Sequence, residues 1–143
     1  MRGVFRGRAS GAGWTGVLTC LRVINDRTRG VVAGNAEMAV TRRDRRKGLL
    51  GREALDADAA LVLSPCIAVH TAFMKFPIDV AFIDRQGHAV RLVHALRPWR
   101  VAASVRAYSV IELAAGRLAA CGVEVGDRLY VGVRPHIRGD STP

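Results

Sequence analysis

The residue types best suited to chemistry lie close together around His70. His70 stands in an apolar run between Val69 and Thr71, where we expect it to be partly buried, and an imidazole in such surroundings can serve as a base, a ligand or a hydrogen-bond anchor. A histidine on a strand also commonly does no more than bind a backbone carbonyl. His70 is therefore a candidate general base for an enzyme, and a purely structural role is the alternative.

Cys66 is the candidate nucleophile in the same stretch. It precedes His70 by four residues, and on an extended strand this spacing puts both side chains on one face about 13 Å apart. At this distance the thiol and the imidazole do not contact each other directly. A bend after Pro65 would bring the thiol and the imidazole together, and a nearby histidine can lower the pKa of a thiol. A buried, inert cysteine is the alternative.

Asp79 is the most unusual carboxylate in the sequence. It stands in an apolar segment, after Pro77 and Ile78 and before Val80 and Phe82. A carboxylate buried there needs hydrogen bonds or a cationic partner. Arginine is the natural partner in a chain with so many arginines, so we expect Asp79 to be paired inside the fold.

The basic residues suggest a different class of function. The net charge is +10, from 22 basic and 12 acidic residues, and such a balance favours anionic partners, although arginine-rich composition is also expected from a GC-rich coding sequence. The densest basic segment comprises Arg42, Arg43, Arg45, Arg46 and Lys47. It could hold phosphate groups. Trp99 is flanked by Pro98 and Arg100, but a single-strand groove needs a second stacking residue, which the sequence does not identify.

Metal, cofactor and membrane functions find little support. His70, His88, His94 and His136 have no ligand spacing, and the three cysteines form no C-x-x-C pair. Glycine-rich phosphate loops and paired catalytic carboxylates are also missing from the sequence. No segment has the length and composition of a secretory signal or a membrane span. We expect a cytoplasmic protein without cofactor, metal or membrane contact.

The elements that must position these residues are mainly strands. The chain has 143 residues, of which 50% are hydrophobic, a size and composition typical of one compact domain. An opening hairpin is predicted from Val17–Ile24 and Val31–Ala33, joined by a polar turn. A second hairpin is predicted from Asp79–Asp84 and His88–His94. Further strands are expected at 61–63, 67–74, 108–113 and 128–133.

Two short helical segments complete the prediction. Thr41 followed by Asp44 is typical of a helix start, so a helix is predicted over about 41–52. A helical turn is predicted at 116–121, ended by Gly122. The fold class is α+β, mainly β, with a small barrel or sandwich formed by residues 17–134. Residues 1–16 and 135–143 are predicted to be a disordered tail and a frayed tail.

Three ordered blocks resemble one known family. They are Arg46–Arg52 (RKGLLGR), Val69–Val90 (VHTAFMKFPIDVAFIDRQGHAV) and Val110–Leu129 (VIELAAGRLAACGVEVGDRL). In order and spacing they resemble the domain of unknown function family 192, small β-rich bacterial and archaeal domains, over residues 20 to 133. The VHTxxMKFPID block is similar to a histidine-bearing subgroup. The resemblance implies a fold and no activity.

The resemblance also implies that the three blocks meet. We therefore predict a polar cluster of Arg46 or Arg52 with His70, Lys75, Asp79 and Glu112. The structural alternative is that Arg52 and Asp79 form a buried salt bridge that only stabilises the fold. The leading functional prediction is a binding module, with His70, Met74, Lys75 and Asp79 lining a pocket for a small anionic ligand or a peptide carboxylate. The alternatives are an enzyme that uses His70 or Cys66 and nucleic-acid association through Arg42 to Lys47. The partner is expected to be such a ligand or another protein.

Overall fold

The computed structural model describes residues 21–133, so both predicted tails lie outside the described residues. The described part contains nine strands and two short helices. The strands are β1 (Leu21–Asn25), β2 (Val31–Ala39), β3 (Ala59–Leu63), β4 (Ala68–His70), β5 (Ile78–Ile83), β6 (Ala89–Leu96), β7 (Val101–Ala103), β8 (Ser109–Ala114) and β9 (Leu129–Val133); the helices are α1 (Arg42–Lys47) and α2 (Arg117–Ala120). The predicted mainly β fold is confirmed.

Seven of the strands form one curled sheet in the order β6-β5-β8-β3-β2-β1-β9. All neighbours are antiparallel except β2 and β3. Parallel neighbours require a crossover connection, and α1 lies in it. The two edge strands approach each other at one end, where His88 forms a bridge with Arg128 and Leu129 N donates to Gly87 O. The sheet is thus a half-barrel that is nearly closed at that end.

The inner side of the curl holds the first hydrophobic core. Its buried residues come from all seven strands and from α2, because a curled sheet brings even its two edges together on the inside. They are Val23, Val32, Ala33, Ala36, Ala60, Val62, Ala81, Ile83, Ala89, Ile111, Leu113, Leu118, Val123 and Leu129. Burial of this apolar surface is the main stabilising contribution.

A second core lies on the outer face of the central strands β3, β5 and β8. Strands β4 and β7 form a separate two-stranded ribbon, whose inward residues Val69 and Ala102 are buried in this core. The turn after α1 adds Leu49. The outer core comprises Ala39, Leu49, Leu61, Leu63, Val69, Met74, Ile78, Val80, Phe82, Ala102, Ala107 and Val110. The sheet therefore buries both faces in its central strands.

Two predicted elements are shorter in the structure. The helix begins as predicted, because Thr41 Oγ1 accepts a hydrogen bond from Asp44 N at 3.0 Å, but it ends at Gly48 and not near 52. Gly48 has a φ of 49°, and a Cβ atom there would have no neighbour closer than 3.7 Å, so the glycine is needed for its positive φ and not for close packing. The strand predicted at 67–74 covers only 68–70, since Phe73 also has a positive φ.

Both predicted hairpins are confirmed within the described residues. Asn25 N and Gly30 O close the first turn, with a distance of 2.9 Å. The second turn contains Gly87 at a φ of 95°, the conformation that favours glycine there. None of the helices in residues 21–133 is long and apolar enough to cross a membrane.

Candidate functional site

A cavity of about 160 Å³ lies on the outer side of the sheet, between α1 and the β4–β7 ribbon. We call it the outer cavity. It is lined by residues of α1 and its following turn, of the segment around β4, and of the central strands: Arg45, Arg46, Lys47, Gly48, Leu49, Leu50, Leu63, Cys66, Ala68, Val69, His70, Met74 and Glu112. Cationic and polar side chains thus share a small space with the apolar walls of the outer core.

Glu112 is the polar group buried deepest in this cavity. It lies on β8 opposite Leu61 on one side and Val80 on the other, and the residue is 5% exposed. Its Oε2 atom has no hydrogen-bond partner among residues 21–133. Burial raises the pKa of Glu112 to about 7, and the positive charge of Arg52 only partly opposes this. A buried carboxyl oxygen without a partner is costly, which makes Glu112 the candidate ligand-binding group of this cavity.

His70 lines the same cavity but is not buried. The sequence predicted partial burial, and this prediction is wrong because β4 belongs to the outer ribbon, where alternate residues face solvent. Its Nδ1 atom accepts a hydrogen bond from Ala72 N at 3.3 Å. The neutral ring then carries its proton on Nε2. His70 is therefore an exposed, oriented donor at the cavity.

Cys66 is a poor nucleophile in this arrangement. Its Sγ atom donates to Ala68 O at 3.1 Å. Burial is the largest effect and raises the pKa of the thiol; the backbone of Ala68 lowers it, and the smaller effects of the charges on Glu112 and Arg45 raise and lower it respectively. Since the thiolate is the reactive form, the arrangement favours a neutral thiol. Within residues 21–133, no hydrogen bond joins Cys66 and His70.

The basic segment of α1 contributes one side of the cavity. Arg45 is half-buried, and its Nη1 atom donates to Val40 O and Ser64 O, which ties α1 to the ends of β2 and β3. Arg46 and Lys47 are exposed and line the cavity. Arg42 and Arg43 are exposed on α1 but do not line it. The cations of α1 therefore divide between the cavity and the outer surface.

Asp79 does not belong to this site, and the predicted polar cluster is wrong in that respect. Its carboxylate accepts hydrogen bonds from Ala95 N at 2.8 Å and from Leu118 N at 2.9 Å. Asp79 pairs with Leu113 across the sheet, whereas Glu112 pairs with Val80. Successive residues of a strand face opposite sides, so Asp79 faces the inner core and Glu112 the outer core.

The predicted Arg52–Asp79 salt bridge is also wrong. Arg52 pairs with Glu37 at 3.1 Å, and it acts on Glu112 only through its charge. Lys75 pairs with Glu53 at 2.6 Å on the surface and does not line the cavity. Of the predicted ligand-binding residues, Arg46, His70, Met74 and Glu112 line the outer cavity, and so do the other candidates Arg45, Lys47 and Cys66.

The contribution of Thr71 and of the Phe73–Trp99 pair was missed from the sequence. Thr71 is fully buried, and it joins two loops through hydrogen bonds to Arg97 and Arg100. Phe73 contacts Trp99, with ring centroids 4.5 Å apart, so the fold supplies the second aromatic residue that the sequence did not reveal. Nothing in the sequence around Thr71 indicates that its side chain connects two loops.

Residues 21–133 contain no group of three His, Cys, Asp or Glu side chains placed to hold a metal ion. The arrangement can offer a ligand a protonated or ionised carboxyl, an imidazole and two exposed cations, next to apolar side chains.

Comparison with known proteins gives a family and a fold. The family model of DUF192, described as an uncharacterized ACR, matches residues 23–131. No curated protein matches the chain.

Two solved structures are similar. One is a protein of unknown function from Novosphingobium aromaticivorans, with 20% identity and a TM-score of 0.67, covering 77% of this chain and 82% of that one. The other, from Sinorhizobium meliloti, is named as a candidate transcription regulator, with 23% identity and a TM-score of 0.66, covering 83% of this chain and 98% of that one. At these identities the likeness concerns the fold.

Proposed function

The chain belongs to the DUF192 family, and for this member we propose a binding function in which the outer cavity takes a small anionic ligand, such as a short organic acid or a peptide carboxylate. The observation that carries the proposal is the unpartnered Oε2 atom of Glu112 in a cavity that Arg46 and Lys47 also line.

The chemistry of Glu112 supports a carboxylate ligand. With a pKa of about 7, a large fraction of Glu112 is protonated at neutral pH. A protonated carboxyl donates a hydrogen bond to a carboxylate, and such charge-assisted bonds are strong. The negative charge of the ligand would raise the pKa of Glu112 further. Binding would therefore be accompanied by proton uptake.

The basic residues supply the attraction from solvent. Arg46 and Lys47 are exposed cations at the cavity, and His70 adds a donor that becomes a cation when protonated. Among residues 21–133, neither Arg46 nor Lys47 forms a salt bridge within the protein. Their charges are thus available to an anion.

The size of the cavity limits the ligand. Its volume is about 160 Å³, close to the roughly 150 Å³ cavity that accommodates benzene in another protein, and below the roughly 300 Å³ of pockets for drug-sized ligands. Leu49, Leu63 and Met74 provide apolar walls. The best fit is a carboxylate that carries a short apolar group, either as a free acid or as a chain end.

Acid–base catalysis is the second candidate, because His70 and Glu112 line one cavity and the pKa of Glu112 is near neutral. A general base works best with a pKa close to the operating pH. The raised pKa of Cys66 argues against the thiol as nucleophile. A bell-shaped rate profile with a small ester or amide substrate would favour this candidate.

Nucleic-acid association through α1 is supported only by charge. Arg42, Arg43, Arg46 and Lys47 are exposed, and the name of the similar Sinorhizobium meliloti protein is compatible with this function. Salt-dependent oligonucleotide binding that is lost after charge reversal of α1 would support it.

The proposed binding function is tested by NMR titration of the protein with propionate and benzoate. A short peptide is titrated as well, once with a free C-terminus and once with an amidated one. We expect shifts at Met74 and His70 with the free carboxylates and none with the amidated peptide. Glu112→Leu should abolish binding, whereas Glu112→Gln should retain it, because an amide can still donate. Glu53→Gln, which alters an exposed carboxylate outside the cavity, is the matched control. Unchanged spectra at millimolar concentrations of every acid would overturn the proposal.

A further inference from the structure

Phe73 and Trp99 form an aromatic pair on the protein surface. Their ring centroids are 4.5 Å apart and the planes are inclined by 60°. Phe73 is 72% exposed and Trp99 is 59% exposed. Two large aromatic rings are thus in contact with each other while much of their surface faces solvent, although rings of this size usually lie mostly inside a protein.

Both residues have backbone conformations that are unusual for their type. Phe73 has a φ of 65° and Trp99 a φ of 63°, in the left-handed region where bulky side chains are rare. Such conformations persist only where the surrounding structure enforces them, and they are concentrated at functional sites. Because both members of one exposed pair have such a conformation, the fold maintains the position of the rings at a cost in conformational energy.

Thr71 is the residue that enforces the arrangement. Its Oγ1 atom donates to Arg97 O at 2.6 Å and accepts from Arg100 N at 2.9 Å. Its carbonyl oxygen accepts from Trp99 N at 3.0 Å and from Met74 N at 3.1 Å. The loop before β5 and the loop before β7 are therefore fixed to each other, and the two rings are held in place before any ligand arrives.

The two chain segments that carry the pair lack acidic residues, although Glu53 from another segment pairs with Lys75 near Phe73. Residues 60–78 and 85–111 contain no aspartate or glutamate. Arg97 and Arg100 flank Trp99 and are exposed, and Arg100 Nη1 donates to Trp99 O at 3.2 Å. Exposed arginines bind phosphate groups and also stack on planar rings.

We propose that the Phe73–Trp99 pair is a stacking site for single-stranded nucleic acid, in which a base packs on the exposed ring surface and the adjoining phosphates contact Arg97 and Arg100. Exposed aromatic rings combined with a basic surface are the features that bind unpaired bases without sequence preference. The pair adjoins the exposed aliphatic side chain of Val101, but the arginines beside Trp99, whose guanidinium groups bind phosphates and stack on planar rings, favour a nucleic acid over a lipid surface. Neither ring lines the outer cavity, although Phe73 directly precedes Met74, which does.

The test measures binding of a fluorescein-labelled oligothymidylate by anisotropy, at several salt concentrations. We expect Trp99→Ala and Phe73→Ala to weaken binding at least about fivefold, the loss typical of one base stack. Trp99→Phe should retain most of the affinity. The matched control is Tyr130→Ala, which removes another exposed aromatic ring, located on β9 and close to Arg128. Circular dichroism of each variant establishes that it is folded.

Two further measurements separate the proposal from its alternatives. In a Trp14→Phe background, Trp99 is the only tryptophan, and its fluorescence should be quenched by the oligonucleotide. Replacing both Arg97 and Arg100 with glutamine should reduce the salt dependence by about one phosphate contact per arginine.

Several results would overturn the stacking site. They are equal affinity of the Trp99→Ala and Tyr130→Ala proteins, loss of binding only after charge reversal of α1, equally tight binding of duplex DNA, and a Trp99 fluorescence change with anionic vesicles but not with the oligonucleotide.

Discussion

Asp79 and Glu112 lie on the neighbouring strands β5 and β8 and face opposite sides of the same sheet. Asp79 is fully buried and satisfied by two backbone amides, whereas Glu112 is buried with one oxygen atom unpartnered among residues 21–133. The first carboxylate is therefore part of the hydrogen-bonded interior, and the second is the group on which the proposed binding function depends.

Glu112 should give the protein a stability that decreases as the pH rises. Its pKa is about 7 in the folded state and 4.5 as the ordinary value. Between these pH values the unfolded chain loses the proton first, so the folded state is progressively disfavoured. The loss is on the order of 3 kcal/mol, since one pKa unit corresponds to about 1.4 kcal/mol. Urea unfolding at pH 4 and pH 8 measures it.

The Glu112→Gln protein is the control for that measurement. Its side chain cannot ionise, so it should match the wild type near pH 4 and exceed it in stability at pH 8. An identical decrease in both proteins would assign the pH dependence to other groups.

Asp127 should have the opposite effect at low pH. Its carboxylate accepts hydrogen bonds from Arg27 at 2.6 Å and Asn25 at 2.8 Å, and the bond from Arg27 is the main reason that its pKa is lowered to about 2. The stabilisation is complete above the ordinary value of 3.8 and is lost as the pH falls towards 2. Asp127→Asn should remove this acid-dependent loss in thermal unfolding curves; an unchanged curve would refute the assignment.

Asp79→Asn should destabilise the fold without affecting ligand binding in the outer cavity. The amide keeps one acceptor oxygen, so one of the two bonds, from Ala95 N or Leu118 N, is lost inside the core. A buried unpaired group costs about 1–3 kcal/mol. Chemical denaturation gives the free energy of unfolding, and the NMR titration with propionate gives the affinity. A variant of normal stability with impaired binding would contradict this separation of roles.

Ala95→Gly should stabilise the protein. Ala95 lies in an irregular part of β6, where two residues of β6, His94 and Ala95, lie opposite one residue of β5, Asp79, and it has a φ of 49°. Its side chain is exposed. Glycine adopts this conformation without steric penalty, and the gain is limited to about 0.5–1 kcal/mol by the greater freedom of the unfolded chain. A decrease in the midpoint of thermal unfolding would show that the methyl group contributes packing.

The sequence was sufficient for local structure but not for the site. Thr41 and Asp44 indicated the helix start, and the turn around Gly87 indicated the second hairpin. Both features depend only on residues that are close together in the chain. The face that each carboxylate occupies depends on the register between β5 and β8, which are separated by two further strands along the chain. The pairing of Arg52 with Glu37 likewise depends on the crossover between β2 and β3.

Burial of His70 was predicted from its apolar neighbours, and this failed for an identifiable reason. Val69 and Ala102 cover the sheet, but their neighbours on the two-stranded ribbon point outward. An apolar run in a ribbon that covers a core alternates in exposure, whereas a run in a central strand such as β5 is buried throughout.

The most direct test of the binding function is the pKa of Glu112 measured by NMR on a protein labelled at the glutamate carboxyl carbon, with and without saturating propionate. We predict a pKa of about 7 in the free protein and a higher value in the complex, because the bound carboxylate shares the proton. A value near 4.5 in the free protein, or no change when propionate binds, would contradict the proposal that the outer cavity binds anions through Glu112.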